Sequence, residues 1–163
     1  MLVADKDSLE TPLAASTAAN RRSETPILSL FTGAGFLDLG FERSGFNSVW
    51  HNEYSKPFVS GFEHGMASLG YVGESAKVQS TQSILDIGPK EIVRNAFGKD
   101  GLPDCFGMIG GPPCPDFSVG GKNRGSQGDN GKLTEVYANR ILEICPSFFL
   151  LENIPGLIRT TKH

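Results

Sequence analysis

Ile27-Leu28-Ser29-Leu30-Phe31-Thr32-Gly33-Ala34-Gly35 is the stretch that decides the fold. Its first five residues are mostly large and apolar, the composition of a short buried strand. Glycines at 33 and 35 then stop it. Phe36 to Ser44 follows as a short helix carrying Phe36, Leu37, Leu39, Gly40 and Phe41, ended by Gly45. A strand running into a glycine turn and a helix lets backbone approach a ligand at the positive end of a helix dipole. By itself the stretch reads equally well as an ordinary tight turn.

Outward from that point the chain alternates. Ser48 to Asn52 reads as a second strand closing on Glu53, and Lys56 to Leu69 as a helix made imperfect by Pro57, Gly61 and Gly65. Ser83 to Ile87 is a weak strand end or a turn. Cys105 to Ile109 is a third strand entering Gly110-Gly111-Pro112-Pro113. Leu133, Val136, Tyr137, Ile141 and Ile144 have helical spacing, Pro146 stops that helix, and Ser147 to Leu151 reads as a buried strand ending on Glu152. Strands alternating with helices predict a doubly wound α/β fold, a parallel sheet with helices on both faces. Ile27–Phe31 should be central in it, with Cys105–Ile109 alongside. Val119 to Lys132 holds five of the chain's 20 glycines and no apolar period, which predicts a mobile loop of the kind that forms lids.

With 163 residues the chain fits one domain. Its 39% hydrophobic content is unevenly spread. Residues 1–25 are poor in large apolar side chains and are expected to form a disordered tail, leaving 26–163 as the domain. Neither a signal peptide nor a transit peptide fits that tail, and no run reaches membrane-spanning length, so a soluble protein with no membrane partner is expected. Three cysteines without CxxC spacing argue against a disulfide framework or a metal site. Cys105 and Cys145 read as inert small hydrophobes in apolar surroundings. The net charge of −3 works against nucleic-acid binding, which depends on neutralising phosphates. The basic residues are a minority, although Lys122, Arg124 and Lys132 cluster in one glycine-rich stretch.

Three constellations carry chemistry. Glu53 lies eighteen residues after Gly35, at the end of the second strand, where nucleotide-binding folds hold ribose hydroxyls. Cys114, in Gly110-Gly111-Pro112-Pro113-Cys114-Pro115-Asp116-Phe117-Ser118, is flanked by prolines on a stiffened loop, which suits a nucleophile that must be presented rather than packed. An unassisted thiol is only a few per cent thiolate, so the site must help it. Glu152, in Phe148-Phe149-Leu150-Leu151-Glu152-Asn153-Ile154-Pro155-Gly156, emerges at a strand's carboxyl end. In open α/β sheets ligands bind outside those ends. Gly33, Glu53, Cys114 and Glu152 all fall there, and together they ask for a nucleotide cofactor, a thiol nucleophile and a carboxyl group.

Phe31-Thr32-Gly33-Ala34-Gly35, the Gly110–Ser118 block and Glu152-Asn153-Ile154-Pro155-Gly156-Leu157 resemble, in order, the first, fourth and sixth motifs of the cytosine-C5 DNA methyltransferases, over about Ile27 to Leu157. The resemblance implies a Rossmann-like S-adenosylmethionine-dependent methyltransferase fold, here incomplete at its C-terminal side. It implies that Phe31, Gly33, Gly35 and Glu53 hold S-adenosyl-L-methionine, with Tyr54 against the adenine, Asp86 on its amino group and Leu133 completing the pocket. Cys114 inherits the nucleophile and Glu152 the acid that recognises cytosine. Transfer of a methyl group to C5 of cytosine in DNA through a covalent Cys–C6 intermediate is the implied activity, within a restriction-modification system. DNA is the implied partner, along with a complementary chain that carries the target-recognition region. Residence with the nucleoid in a bacterial cytoplasm, or in a eukaryotic nucleus, would follow.

Departures from the pattern are Phe36 where a third glycine is common, Pro115 for glutamine and Asn130 for arginine. The family's Gln-x-Arg motif and target-recognition region are expected to lie outside these residues. Two other readings stay open: a tRNA cytosine-C5 methyltransferase of the same architecture, and a non-catalytic cofactor-binding fragment or subunit of a split enzyme.

Overall fold

A computed structural model describes residues 25–113 and 129–153. It contains β1 (Pro26–Leu30), α1 (Phe36–Arg43), β2 (Asn47–Asn52), α2 (Lys56–Ser68), a single 3-10 turn (Gly73–Ala76), α3 (Pro89–Phe97), β3 (Gly107–Gly110), α4 (Asp129–Ile144) and β4 (Phe148–Leu151). The strands form one four-stranded sheet in the order β2-β1-β3-β4. Every pairing is parallel, with Ile27 opposite Gly107 and Gly107 opposite Phe148. The expected α/β class, the central β1 and its neighbour β3 are therefore all observed.

Alternation along β1 explains the two-sided core. Leu28 and Leu30 point to one face, where Trp50, Met108, Ile92 of α3 and Tyr137 and Ile144 of α4 close over them. On the other face His51 of β2 meets Asp38 of α1 and the ring of Phe62 of α2. Phe62 and Met66 are buried there beside Ala76. Burying both faces removes enough apolar surface to fix the strand register, because a one-residue slip would send each side chain to the wrong face.

Several expectations need correction. β1 ends at Leu30, and Phe31 already lies in the left-handed region at φ 56, a conformation that a non-glycine residue rarely holds. Cys105 precedes β3 instead of opening it, and both Cys105 and Cys145 are exposed rather than packed in apolar surroundings. β4 is not buried: Phe149 is 58% and Leu150 37% exposed, because among the described residues β4 pairs only with β3. Helix α3 was not anticipated, although Gly88-Pro89 at its start and Gly98 at its end are ordinary helix punctuation. Ser83 to Ile87 is a turn closed by the Asp86 amide on the Ser83 carbonyl. Residues 1–24, and positions 119–128 of the expected Val119–Lys132 loop, lie outside the described residues, and the last four positions of that stretch open α4 instead of ending a loop.

Gly35 sits at φ 85, and a Cβ there would lie 2.5 Å from Cδ2 of the buried Phe62. Gly35→Ala is expected to destabilise the fold by roughly 2–5 kcal/mol, from the left-handed backbone and the clash together. Gly40, inside α1, has nothing within 4 Å of its missing Cβ. Gly40→Ala should instead stabilise by about 1 kcal/mol through helix propensity. Urea unfolding midpoints of the two variants should move in opposite directions.

Candidate active site

In the order β2-β1-β3-β4, the chain leaves β1 toward one side for β2 and returns on the other side for β3. A crevice opens at such a reversal, at the carboxyl ends of the strands, and it is where open α/β sheets bind ligands. The segments after β1 and β3 flank it: Thr32–Gly35 on one side and Gly110–Pro113 on the other. Glu53 and Glu152 stand at the outer ends, after β2 and β4.

Glu53 is held through both of its carboxylate oxygens. One carboxylate oxygen accepts the Gly33 amide at 2.9 Å and the other the Ser55 amide at 2.7 Å. Each carboxylate oxygen offers two acceptor sites, so each can accept one further hydrogen bond. Gly33, at φ 58, gives the turn the backbone conformation that aims its amide at Glu53. Thr32 ties the same turn to the end of β2 through its amide and the Asn52 carbonyl, 3.1 Å apart.

Beside Glu53, Tyr54, Ser55, Lys56, Pro57 and Thr81 line a cleft of about 450 Å³. Tyr54 is 71% exposed, a flat ring offered to a ligand. The far wall is held by Asn52, whose buried amide donates to the carbonyls of Ser80 (3.1 Å) and Gln82 (3.0 Å). That role of Asn52 was not foreseen, and nothing local marks it. Asp86 is exposed in its turn and is not among the cleft-lining residues. Leu133 and Phe31 pack against the core on the α4 side, where the Phe31 ring meets Tyr137 edge-on at 6.2 Å. The described residues thus bring Gly33, Glu53 and Tyr54 together and leave Phe31 and Leu133 packed against the core.

Across the crevice, Tyr137 organises the second half. A Cβ on Gly110 would meet the Leu30 carbonyl at 2.8 Å and the Tyr137 ring at 2.9 Å, so glycine is required for that ring to seat. Burial pushes the Tyr137 phenol well above its ordinary value, so it stays a neutral donor, and its hydroxyl binds the Leu150 carbonyl at 2.9 Å. The Glu152 amide donates to the Gly110 carbonyl at 2.9 Å, and its carboxylate comes within 3.0 Å of where a Gly111 Cβ would be. Glu152 is exposed, over the start of the loop that leads to Cys114. Cys114 itself lies outside the described residues.

A parallel sheet with a carboxylate-braced glycine turn at its reversal point defines a Rossmann-like α/β fold. Residues 25–163 match the family described as C-5 cytosine-specific DNA methylase, and the chain belongs to that family. It is 39% identical over 153 residues to the type II methyltransferase M.NmeDI of Neisseria meningitidis serogroup C, covering 87% of this chain and 34% of that one. It is 38% identical over 132 residues to M.FnuDI of Fusobacterium nucleatum, covering 81% and 33%. A solved chain from E. coli, described as a candidate DNA modification methyltransferase encoded within a prophage, superposes with a TM-score of 0.61 at 27% identity, over 82% of this chain and 33% of that one. The 163 residues thus span about one third of the length of these relatives.

Proposed function

We propose that this chain is the cofactor-binding, nucleophile-bearing part of an enzyme that methylates C5 of cytosine in DNA. The observation that carries the proposal is the Glu53 carboxylate bridging the Gly33 and Ser55 amides beside an open cleft. S-adenosyl-L-methionine fits this chemistry: a diol for Glu53, a flat base for the cleft beside Tyr54, and a backbone turn for the rest. The family resemblance adds Phe31, Gly35, Asp86 and Leu133 as cofactor contacts, none of them among the residues that line the cleft itself. When bound, that cofactor supplies an electrophilic methyl group.

The chain's own residues supply the rest. The Cys114 thiolate adds to C6 of cytosine, forming an S–C6 bond and giving C5 the electron density it otherwise lacks. Glu152 donates a proton or hydrogen bond at N3, which makes that addition favourable. Once C5 is methylated, its proton leaves and the S–C6 bond breaks, restoring the aromatic ring and the thiolate. The reacting base must leave the duplex to reach Cys114. The match to a DNA methylase family favours DNA over tRNA as substrate.

One third of a relative's length does not supply the whole enzyme. The exposed Phe149 and Leu150 on β4 form an apolar sheet edge that the remainder of such an enzyme would cover, supplied by the same polypeptide or by a complementary chain. The test uses the purified 163 residues with labelled S-adenosyl-L-methionine and duplex DNA or tRNA. Cofactor binding alone, with cytosine methylation of DNA appearing once a polypeptide carrying the remaining region is added, is the expected result. Sequence-specific methylation by the 163 residues alone would refute the need for that region. Methylation of tRNA instead of DNA would refute the substrate.

A further inference from the structure

Beneath the glycine turn lies a buried acid–base pair to which the reaction above assigns no part. Asp38, in the first turn of α1, and His51, in β2, are both fully buried, with Oδ1 and Nε2 3.5 Å apart. Asp38 is joined to the turn: the Thr32 hydroxyl reaches its Oδ1 at 3.4 Å and the Ser29 hydroxyl at 2.8 Å. His51 precedes Asn52, which receives the Thr32 amide, and Glu53, which receives the Gly33 amide. The His51 ring also packs against Phe62, centroids 4.7 Å apart, and Phe62 is the side chain that closes over Gly35.

The proton on the imidazole can be placed by chemistry. Gln79 turns its amide nitrogen to two oxygens of Glu74, at 2.9 and 2.8 Å, so its oxygen must face His51. That oxygen accepts the His51 amide at 2.7 Å and lies 3.1 Å from Nδ1, which therefore carries hydrogen. Nε2, aimed at Asp38, has no partner within hydrogen-bond distance, and neither has Oδ2 of Asp38. Burial raises Asp38 above the usual carboxylate range and lowers His51 below the usual imidazole range, each shift opposed by the other partner's charge. A buried pair of this kind resists net charge of either sign.

We propose that Asp38 and His51 hold one proton between the two groups, on the carboxyl or on Nε2 but not on both, and that this pair is a positioning device that holds the Thr32–Gly35 turn against the end of β2 for cofactor binding. The proposal rests on the cofactor reading above and deepens it. Raising the pH removes the shared proton and leaves a buried carboxylate facing an imidazole lone pair. The turn then loosens and affinity falls. Lowering the pH adds a second proton and buries a cation, with the same result. The charged groups around the pair are Glu74 behind Gln79, Glu63 of α2 on the Val78 amide, Glu42 of α1 on the Ser48 amide and Glu53 at the end of β2. None of them lies between Oδ1 and Nε2.

The experiment measures the dissociation constant of S-adenosyl-L-methionine by calorimetry from about pH 5 to 9, the range over which imidazole titrates. Wild type should give a bell-shaped affinity profile. Asp38→Asn replaces the shared proton by an amide N–H that cannot be lost. Its affinity near neutrality should stay within about twofold of wild type, while the alkaline limb disappears. Asp38→Ala should bind about tenfold more weakly throughout, with Nε2 of His51 left facing no polar group. Tyr54 and Lys56 in the cleft are unchanged in both variants, so a limb that vanishes belongs to the pair. An Asp38→Asn profile superimposable on wild type would overturn the proposal. Nitrogen NMR of the His51 ring reads the proton without cofactor: Nδ1 should stay protonated across the range, and free titration near the ordinary imidazole value would also overturn it. Wild type that binds no cofactor at any pH, with the ring spectrum as expected, would overturn the cofactor reading and the affinity half of the proposal together, and leave the shared proton standing.

Discussion

Cys114→Ser is expected to abolish methyl transfer while leaving cofactor binding intact. A serine hydroxyl is far less acidic than a thiol and a weaker nucleophile. The loss should be roughly four orders of magnitude or more, the scale on which removing a nucleophile acts in covalent enzymes. The measurement pairs the methylation rate, in an enzyme completed with the remaining region, with trapping on duplex DNA containing 5-fluorocytosine. Fluorine at C5 cannot leave as a proton does, so the wild-type protein should stay covalently attached to the DNA. An adduct formed by the Cys114→Ser protein would remove Cys114 from the mechanism. Dissociation constants for S-adenosyl-L-methionine should agree within about twofold between the two proteins, because Gly33, Glu53 and Tyr54 sit on the β1–β2 side of the crevice.

The second large effect is expected at Glu53, and it has the opposite signature. Glu53→Ala removes the acceptor of the Gly33 and Ser55 amides and the two remaining acceptor sites offered to a diol. Losing charge-assisted hydrogen bonds of this number should weaken cofactor binding by about 100-fold, or roughly 3 kcal/mol. Glu53→Gln separates charge from shape. An amide oxygen can serve one of the two backbone donors, but its nitrogen must then face the other donor. Glu53→Gln should therefore recover little, remaining at least about tenfold weaker than wild type. Calorimetric titration checks both variants, and near-wild-type affinity in Glu53→Ala would place the cofactor elsewhere.

These contrasting signatures follow from how the site divides. Glu53 and the glycine turn occupy one side of the crevice, and Gly110–Pro113 with Glu152 occupy the other. Tyr137 links the halves: its ring touches Phe31 behind the turn and seats on Gly110, and its hydroxyl holds β4 just before Glu152. Helix α4 was legible as a helix from its spacing. That one of its residues joins both halves was not, since the same spacing would serve any core helix.

Local pattern alone determined the alternation of strands and helices, and with it the parallel sheet and the carboxyl-end positions of Gly33, Glu53 and Glu152. Those features are written in short-range periodicity and in glycine and proline punctuation, which act within a few residues. The motif blocks added the family. Tertiary structure decided everything that depends on which distant residues meet. It brought Glu53 onto the Gly33 amide twenty positions away in the chain, and His51 to Asp38 inside the core. It also left Cys105, Cys145 and the Phe149 side of β4 open, against their apolar sequence surroundings. Burial is set by what packs across a face, and an apolar run reads the same whether its strand lies at the centre of a sheet or at its edge.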